Sequence, residues 1–411
     1  MSVLTGLFNL LALLYIGRAI QLVIQIARGW TELRQEPLTR AKQHLAEQAA
    51  FFVAVPPSVL VHELAHAVAV WLFGGQVVEF GYRVFWGYVV PAGSFSPLQE
   101  WVIAIAGTLG SLAFGAVVWM LLRRSSSRTW RFFGLRAFRF QLYFSLLYYP
   151  IFSLFLPIGD WRTIYSFGVT PLLSGLTAAV HAALLLWFYR ADRAGAFEMP
   201  AFDSLAAQER YTALAAAIDP EARLAAIHAL RQGGAGHQAN RELDRFLSQY
   251  PRSAEGHLQR AILLAQGQGA VTPRAAEAAR QALALGLRAA DDVALARRIA
   301  ALAALERGDG PAAAAELDAA LTSTPGYDPA QLSVAARAEL HYLRSQAYRR
   351  QGRFEDAYRE SGTAWRLAQG MGLTDLAERS RAEQELVEKH AGRDLSALNE
   401  DSEPYVTPTG V

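Results

Sequence analysis

VHELAHAVAVWLFGG, residues 61–75, decides how the first half of the chain is read, because it sets two imidazoles and a carboxylate inside a run of Val, Ala, Leu, Trp and Phe. In His62-Glu63-Leu64-Ala65-His66 the histidines are four positions apart, so on a helix they stack on one face. From that spacing two ring nitrogens can reach one Zn²⁺, and Glu63 is placed to take a proton from a water bound there. The alternative is a trio of groups hydrogen-bonded to neighbouring helices. An ionisable Glu63 at membrane depth is expensive, which argues for function.

Working outward, the run that holds this motif covers about 51–73, close to the twenty residues a helix needs to cross a bilayer. Similar runs lie at about 3–27, 97–122, 140–159 and 170–189. Five spans are therefore expected, all helical, since the bilayer core offers backbone groups no water. The first run lacks a basic amino-terminal flank and a small-residue cleavage site, and is read as a retained span. Arg18 inside it is costly unless its helix is tilted or faces a polar bundle interior.

Composition supports two solvents for one chain. Of 411 residues 52% are hydrophobic, but the long aromatic runs end near residue 190, and an alanine-rich, charged sequence follows. The net charge of +2 makes no case for nucleic acid. With no cysteine there is neither a disulfide framework nor a thiolate site, so a metal must be held by His, Asp or Glu. Arg28, Arg34, Arg40, Lys42, Arg123, Arg124, Arg128, Arg131, Arg136, Arg139, Arg190 and Arg193 fall on one set of connections, against Arg83 and Arg162 on the other. The positive-inside rule then puts the region after the fifth span in the cytoplasm of a multi-pass membrane protein. Absent cysteine and abundant Ala and Arg fit a bacterium with GC-rich DNA, so a bacterial cell membrane is expected.

Residues 74–96, GGQVVEFGYRVFWGYVVPAGSFS, alternate aromatic and β-branched residues with Gly and Pro and are expected to form a short hairpin. An extended substrate could pair with its edge. Residues 203–395 contain repeats, clearest in Ala347–Leu367 and Glu306–Pro325, where Gly352 or Gly308 marks a turn and Ala357, Ala364, Ala313 and Ala320 let helices pack closely. Weaker units surround 218–251 and 255–287, with an insertion near Val271. The pattern resembles the tetratricopeptide repeat, a cytoplasmic binding module for a protein partner; a generic alanine-rich bundle is the alternative. Residues 396–411, ending in DSEPYVTPTGV, are expected to be a flexible tail.

Two histidines do not complete a catalytic zinc site, which takes three protein ligands. Asp160, in FLPIGDW at the end of the fourth run, is the first candidate; Pro157 and Gly159 would break the helix there. It could instead cap a helix or pair with Arg162. His181 competes for the role, although a lone intramembrane His more often bonds across helices.

An embedded HELAH helix, a strand-like segment after it and an Asp following a Pro on a later span together resemble the site-2 protease family of intramembrane zinc metalloproteases, over roughly residues 45–190. The resemblance implies that His62, His66 and Asp160 bind zinc, that Glu63 is the general base, and that a peptide bond within or beside a transmembrane segment of another protein is cut. The chain departs from the family pattern at Thr108 and Ser111, where Pro and Asn of a Gly-Pro-x-x-Asn motif would stand, and at Trp161, where Gly would follow the Asp. Small polar residues at 108 and 111 could donate to substrate or serve helix packing. Glu63, Asp160, Thr108 and Ser111 are available to line a water-accessible pocket. The chain is thus expected to be mainly α, with a membrane metalloprotease domain over 1–195 and a helical repeat domain over 203–395. A noncatalytic scaffold that recruits partners through its repeats is the rival, and a metal transporter would need ligands at several depths.

Overall fold

The computed structural model describes residues 3–399, apart from 85, 156–158 and 267–269. It is mainly α with one two-stranded sheet. By contacts the chain falls into two compact units, Met1–Ile218 with Ala229–Ala239, and Asp219–His228 with Asn240–Val411.

The first unit opens with α1 (Val3–Arg28), α2 (Trp30–Arg34) and α3 (Arg40–Phe52). Thr39 starts α3 by accepting from the Lys42 N–H at 3.3 Å. The second expected span, 51–73, does not begin where its apolar run does. Two turn residues at 53–54 separate α3 from α4 (Val55–Leu72), whose first turn carries Pro56 and Pro57, residues without the N–H that would continue the preceding helix. Gly74, at φ +75°, ends α4 and turns the chain into β1 (Gln76–Tyr82). β1 pairs antiparallel with β2 (Gly87–Ala92) in the register Gln76↔Ala92 to Tyr82↔Gly87, with an irregularity between Val77 and Glu79. The hairpin read from the alternation is therefore present. The Tyr82 hydroxyl donates to the Pro56 carbonyl at 3.1 Å, tying it to the start of α4.

A capping box opens α5 (Pro97–Leu122): Ser96 Oγ accepts from Gln99 N–H, and Gln99 returns the bond to the Ser96 N–H. α6 (Arg128–Tyr143) runs through a π-turn, Phe144–Tyr148, into α7 (Tyr149–Phe155). Pro150 accounts for the interruption. It has no N–H for the Leu146 carbonyl four residues back, and that oxygen instead accepts from His181 Nε2 at 2.6 Å. The fourth expected span, 140–159, is thus helical only in short pieces, and Pro157, read as its breaker, lies outside the described residues. Then come α8 (Trp161–Ile164) and α9 (Pro171–Arg193). Arg139 on α6 donates to both carboxylate oxygens of Asp192 on α9, at 2.6 and 2.9 Å.

Among the described residues four helical stretches are long and apolar enough to cross a membrane: Leu10–Arg28, Arg40–Leu72, Pro97–Leu122 and Pro171–Arg193. Their outward faces carry exposed apolar residues, on α9 Leu172, Leu176, Val180 and Trp187. Such a continuous stripe suits lipid and would be an aggregation hazard in water. Four such stretches mark a membrane protein.

After α10 (Leu205–Ala216), α11 (Pro220–Gln232) and α12 (Gly236–Gln249), the second unit pairs helices in sequence: α13 (Ala254–Ala265) with α14 (Pro273–Ala284), α15 (Ala290–Glu306) with α16 (Gly310–Leu321), α17 (Val334–Arg350) with α18 (Phe354–Gly370), then α19 (Thr374–Ala391). The insertion near Val271 falls in the α13–α14 connection. Gly308 and Gly352, at φ +78° and +75°, make the turns within two of these pairs. Ala313, Ala320, Ala357 and Ala364 have no exposed surface, and their missing side-chain bulk lets the helices approach. The expected tail from 396 begins instead with a 3₁₀ turn, Ser396–Asn399, next to the buried Leu395. The stretch DSEPYVTPTGV lies outside the described residues.

Candidate metal centre

α4 carries His62 and His66 one turn apart, with Glu63 between them in sequence, against α5. Close approach of the two helices depends on Gly107 and Gly110 of α5. A Cβ at Gly107 would collide with Nε2 of both histidines, and one at Gly110 would sit 2.8 Å from the Ala65 Cβ. Asp160 arrives from the α7–α8 connection, 98 positions along the chain from His62. Gly159 before it has φ +108°, a conformation other residues avoid.

The three groups converge. Asp160 Oδ2 lies 3.0 Å from His62 Nε2 and 3.1 Å from His66 Nε2, and one ligand atom from each residue falls within 4.8 Å of the others. His66 Nδ1 sits 2.6 Å from the Ile103 carbonyl oxygen, which can only accept, so that nitrogen carries the proton and Nε2 of the neutral ring presents a lone pair. His62 Nδ1 lies 3.2 Å from Ser111 Oγ, a hydroxyl that can either donate or accept. Two imidazole Nε2 atoms and a carboxylate oxygen thus point at one another. A cation among them would be held by all three, and outer bonds of this kind orient metal-binding histidines. The donor set of two nitrogens and one oxygen fits zinc and leaves a fourth tetrahedral position.

Tyr149, the first residue of α7, fixes the third group. Its hydroxyl donates to Asp160 Oδ2 at 2.8 Å and accepts from the Asp160 backbone N–H at 3.1 Å, while its ring meets His62 edge-on at 5.5 Å. Asp160 occupies the position before α8 without capping it through its side chain. Among the described residues its recorded partners are the histidines and Tyr149.

His181 is not part of the cluster. Its Nε2 donates to Leu146, its Nδ1 accepts from the Tyr165 hydroxyl, and its ring packs on Trp161 at 4.6 Å. Trp161, the departure after the Asp, is buried beside Ala104 and Ile164 and anchors the loop that presents Asp160. Ser111 bonds to His62, a role its sequence position did not disclose. Thr108 is buried, and its hydroxyl has no hydrogen-bond partner among the described residues.

A cavity of about 650 Å³ opens beside the cluster, with His62, Glu63 and Ser111 in its wall and Arg18 and Gln141 further along. Asp160 and Thr108, expected to line it, do not. Most of the wall is apolar, from Leu14 and Tyr15 of α1 to Phe152 of α7. β2 passes over Glu63 so closely that a Cβ at Gly87 would lie 2.8 Å from Glu63 Oε1.

Neither the curated proteins nor the solved structures contain a match to this chain. Residues 54–193, which hold the helix with both histidines, the hairpin, α5 and Asp160, match the family model described as Peptidase M50B-like, and this segment is thereby similar to the site-2 protease-like peptidases.

Proposed function

We propose that the chain is an intramembrane zinc endopeptidase that hydrolyses a peptide bond in or near a transmembrane segment of another membrane protein. The observation that carries this reading is the convergence of His62 Nε2, His66 Nε2 and Asp160 Oδ2 beside Glu63 in the wall of an apolar cavity. The Peptidase M50B-like match over the same residues supports it at the level of the family.

Bound at the three ligands, zinc would polarise the scissile carbonyl and acidify a water. Glu63 takes the proton from that water and returns it to the leaving amine. Ser111 and the Ile103 carbonyl hold the histidine rings with Nε2 inward, and Tyr149 holds the Asp160 carboxylate against them. The apolar wall of the cavity suits a substrate that is itself a membrane helix. That helix must open locally before its amide can be attacked, and the exposed edges of the β1–β2 hairpin offer backbone bonds to an extended segment.

The helix pairs of the second unit support its reading as a tetratricopeptide-like module; the Lys and Arg asymmetry of the connections supports placing it on the cytoplasmic side of a bacterial membrane, and there it would recruit a protein partner. In membranes from cells carrying Glu63→Gln, an intact substrate should accumulate and its fragment disappear by comparative proteomics, while the purified variant keeps its zinc. Unchanged cleavage by Glu63→Gln would sink the assignment. Absence of bound metal from the wild-type protein would favour a noncatalytic scaffold.

A further inference from the structure

The cavity reaches well beyond the metal cluster. Its α1 wall is Leu11, Leu14, Tyr15 and Arg18, one helical face by their spacing. Arg18 is an unusual group to place there, since a guanidinium inside a membrane span is retained only where its charge is answered. Here the answer is incomplete. Arg18 donates to two neutral amide oxygens, Gln21 Oε1 at 2.6 Å and Gln48 Oε1. Among the described residues no carboxylate lies within 4.0 Å of it, and the neighbouring Glu47 is already paired with Arg136. Its hydrogen bonds are partly met, its charge is not, and it faces a cavity large enough for a peptide.

We propose that Arg18 is a specificity-determining residue that recognises a carboxylate carried by the transmembrane segment of the substrate. The proposal rests on the peptidase reading of the same cavity. Tyr15 on α1 donates to the Phe51 carbonyl and Arg18 to Gln48, so the guanidinium sits level with Gln48. From Gln48 to His62 is fourteen positions, through the end of α3, the turn at 53–54 and the start of α4, at most roughly 20 Å. The carboxylate therefore lies within about six residues of extended chain from the bond that is cut. A peptide carboxylate is favoured over a lipid phosphate because the space in front of Arg18 is continuous with that in front of Glu63.

The test measures binding, not cleavage. Full-length Glu63→Gln protein in phosphatidylcholine nanodiscs is titrated with three fluorescent Leu/Ala transmembrane peptides that differ at one position, about six residues from the centre: Asp, Asn or Lys. The Asp peptide should bind about tenfold more tightly than the Asn peptide and the Lys peptide least. Adding Arg18→Gln should erase the preference, Arg18→Lys should keep it and Arg18→Glu should reverse it. Equal binding of the three peptides, no binding of any, or a preference that survives Arg18→Gln overturns the proposal. So does loss of the preference when phosphatidylglycerol is added to the nanodisc, which would assign Arg18 to a headgroup. Because no hydrolysis is read, a protein that proves inactive against every substrate leaves this outcome intact, and the reverse also holds.

Discussion

At the scale of single residues the site depends on which nitrogen of each histidine faces inward. The Ile103 carbonyl settles it for His66, because a carbonyl oxygen cannot donate. Tyr149 does the corresponding work for Asp160, through one hydroxyl that both donates and accepts. Tyr149→Phe removes that oxygen and little else. Zinc affinity, measured by chelator competition, should fall by about 10- to 100-fold, while the thermal midpoint of the protein changes little. The pair of histidines and Glu63 were legible in the sequence because a four-residue spacing is local. Tyr149, Ser111 and the Ile103 carbonyl were not, since a hydroxyl and a backbone oxygen acquire such roles only when distant segments meet.

Among the elements, α5 is the surface on which the site is built. Gly107 and Gly110 face α4, and Gly115 faces Gln141 of α6. Gly107→Ala should fold, yet lose zinc by about tenfold or more, because the added methyl enters the space between the two imidazoles. Gly110→Ala should instead lower stability by about 1–3 kcal/mol and keep its metal once folded, since its methyl meets Ala65. Metal analysis and thermal unfolding of the two variants, side by side, read the difference. The interruption after α6 belongs to this scale too. The apolar run 140–159 promised one span; Pro150 divides it, and the π-turn and short helices that result carry Tyr149 and lead to Asp160. Length and hydropathy report how much apolar chain there is, not where its hydrogen bonds fail.

Over the whole molecule two kinds of packing coexist: helices whose outer faces are apolar, and an alanine-rich unit held by buried small residues and ion pairs. In the second unit burial works to raise the Glu360 carboxyl, but hydrogen bonds from His341 and Arg344, both at 2.6 Å, hold it below its ordinary value. Glu360 thus binds its proton less readily folded than unfolded, so its contribution is full above the ordinary value of 4.5 and is lost as pH falls below it. Glu360→Gln should lower stability by about 2 kcal/mol near neutral pH, and the gap between the two melting curves should close as pH falls below about 4. The sequence alone dictated the membrane region, the helical character of the region after it, the hairpin and the His-Glu-His helix, since each is written in local composition and period. Only the tertiary structure decided that Asp160 and not His181 meets the histidines, that Tyr149 and Ser111 hold the site, and that Arg18 faces its cavity. Those contacts join residues from 11 to 98 positions apart, and their geometry follows from where glycines admit a neighbouring helix and where Pro150 leaves a carbonyl for another helix to satisfy.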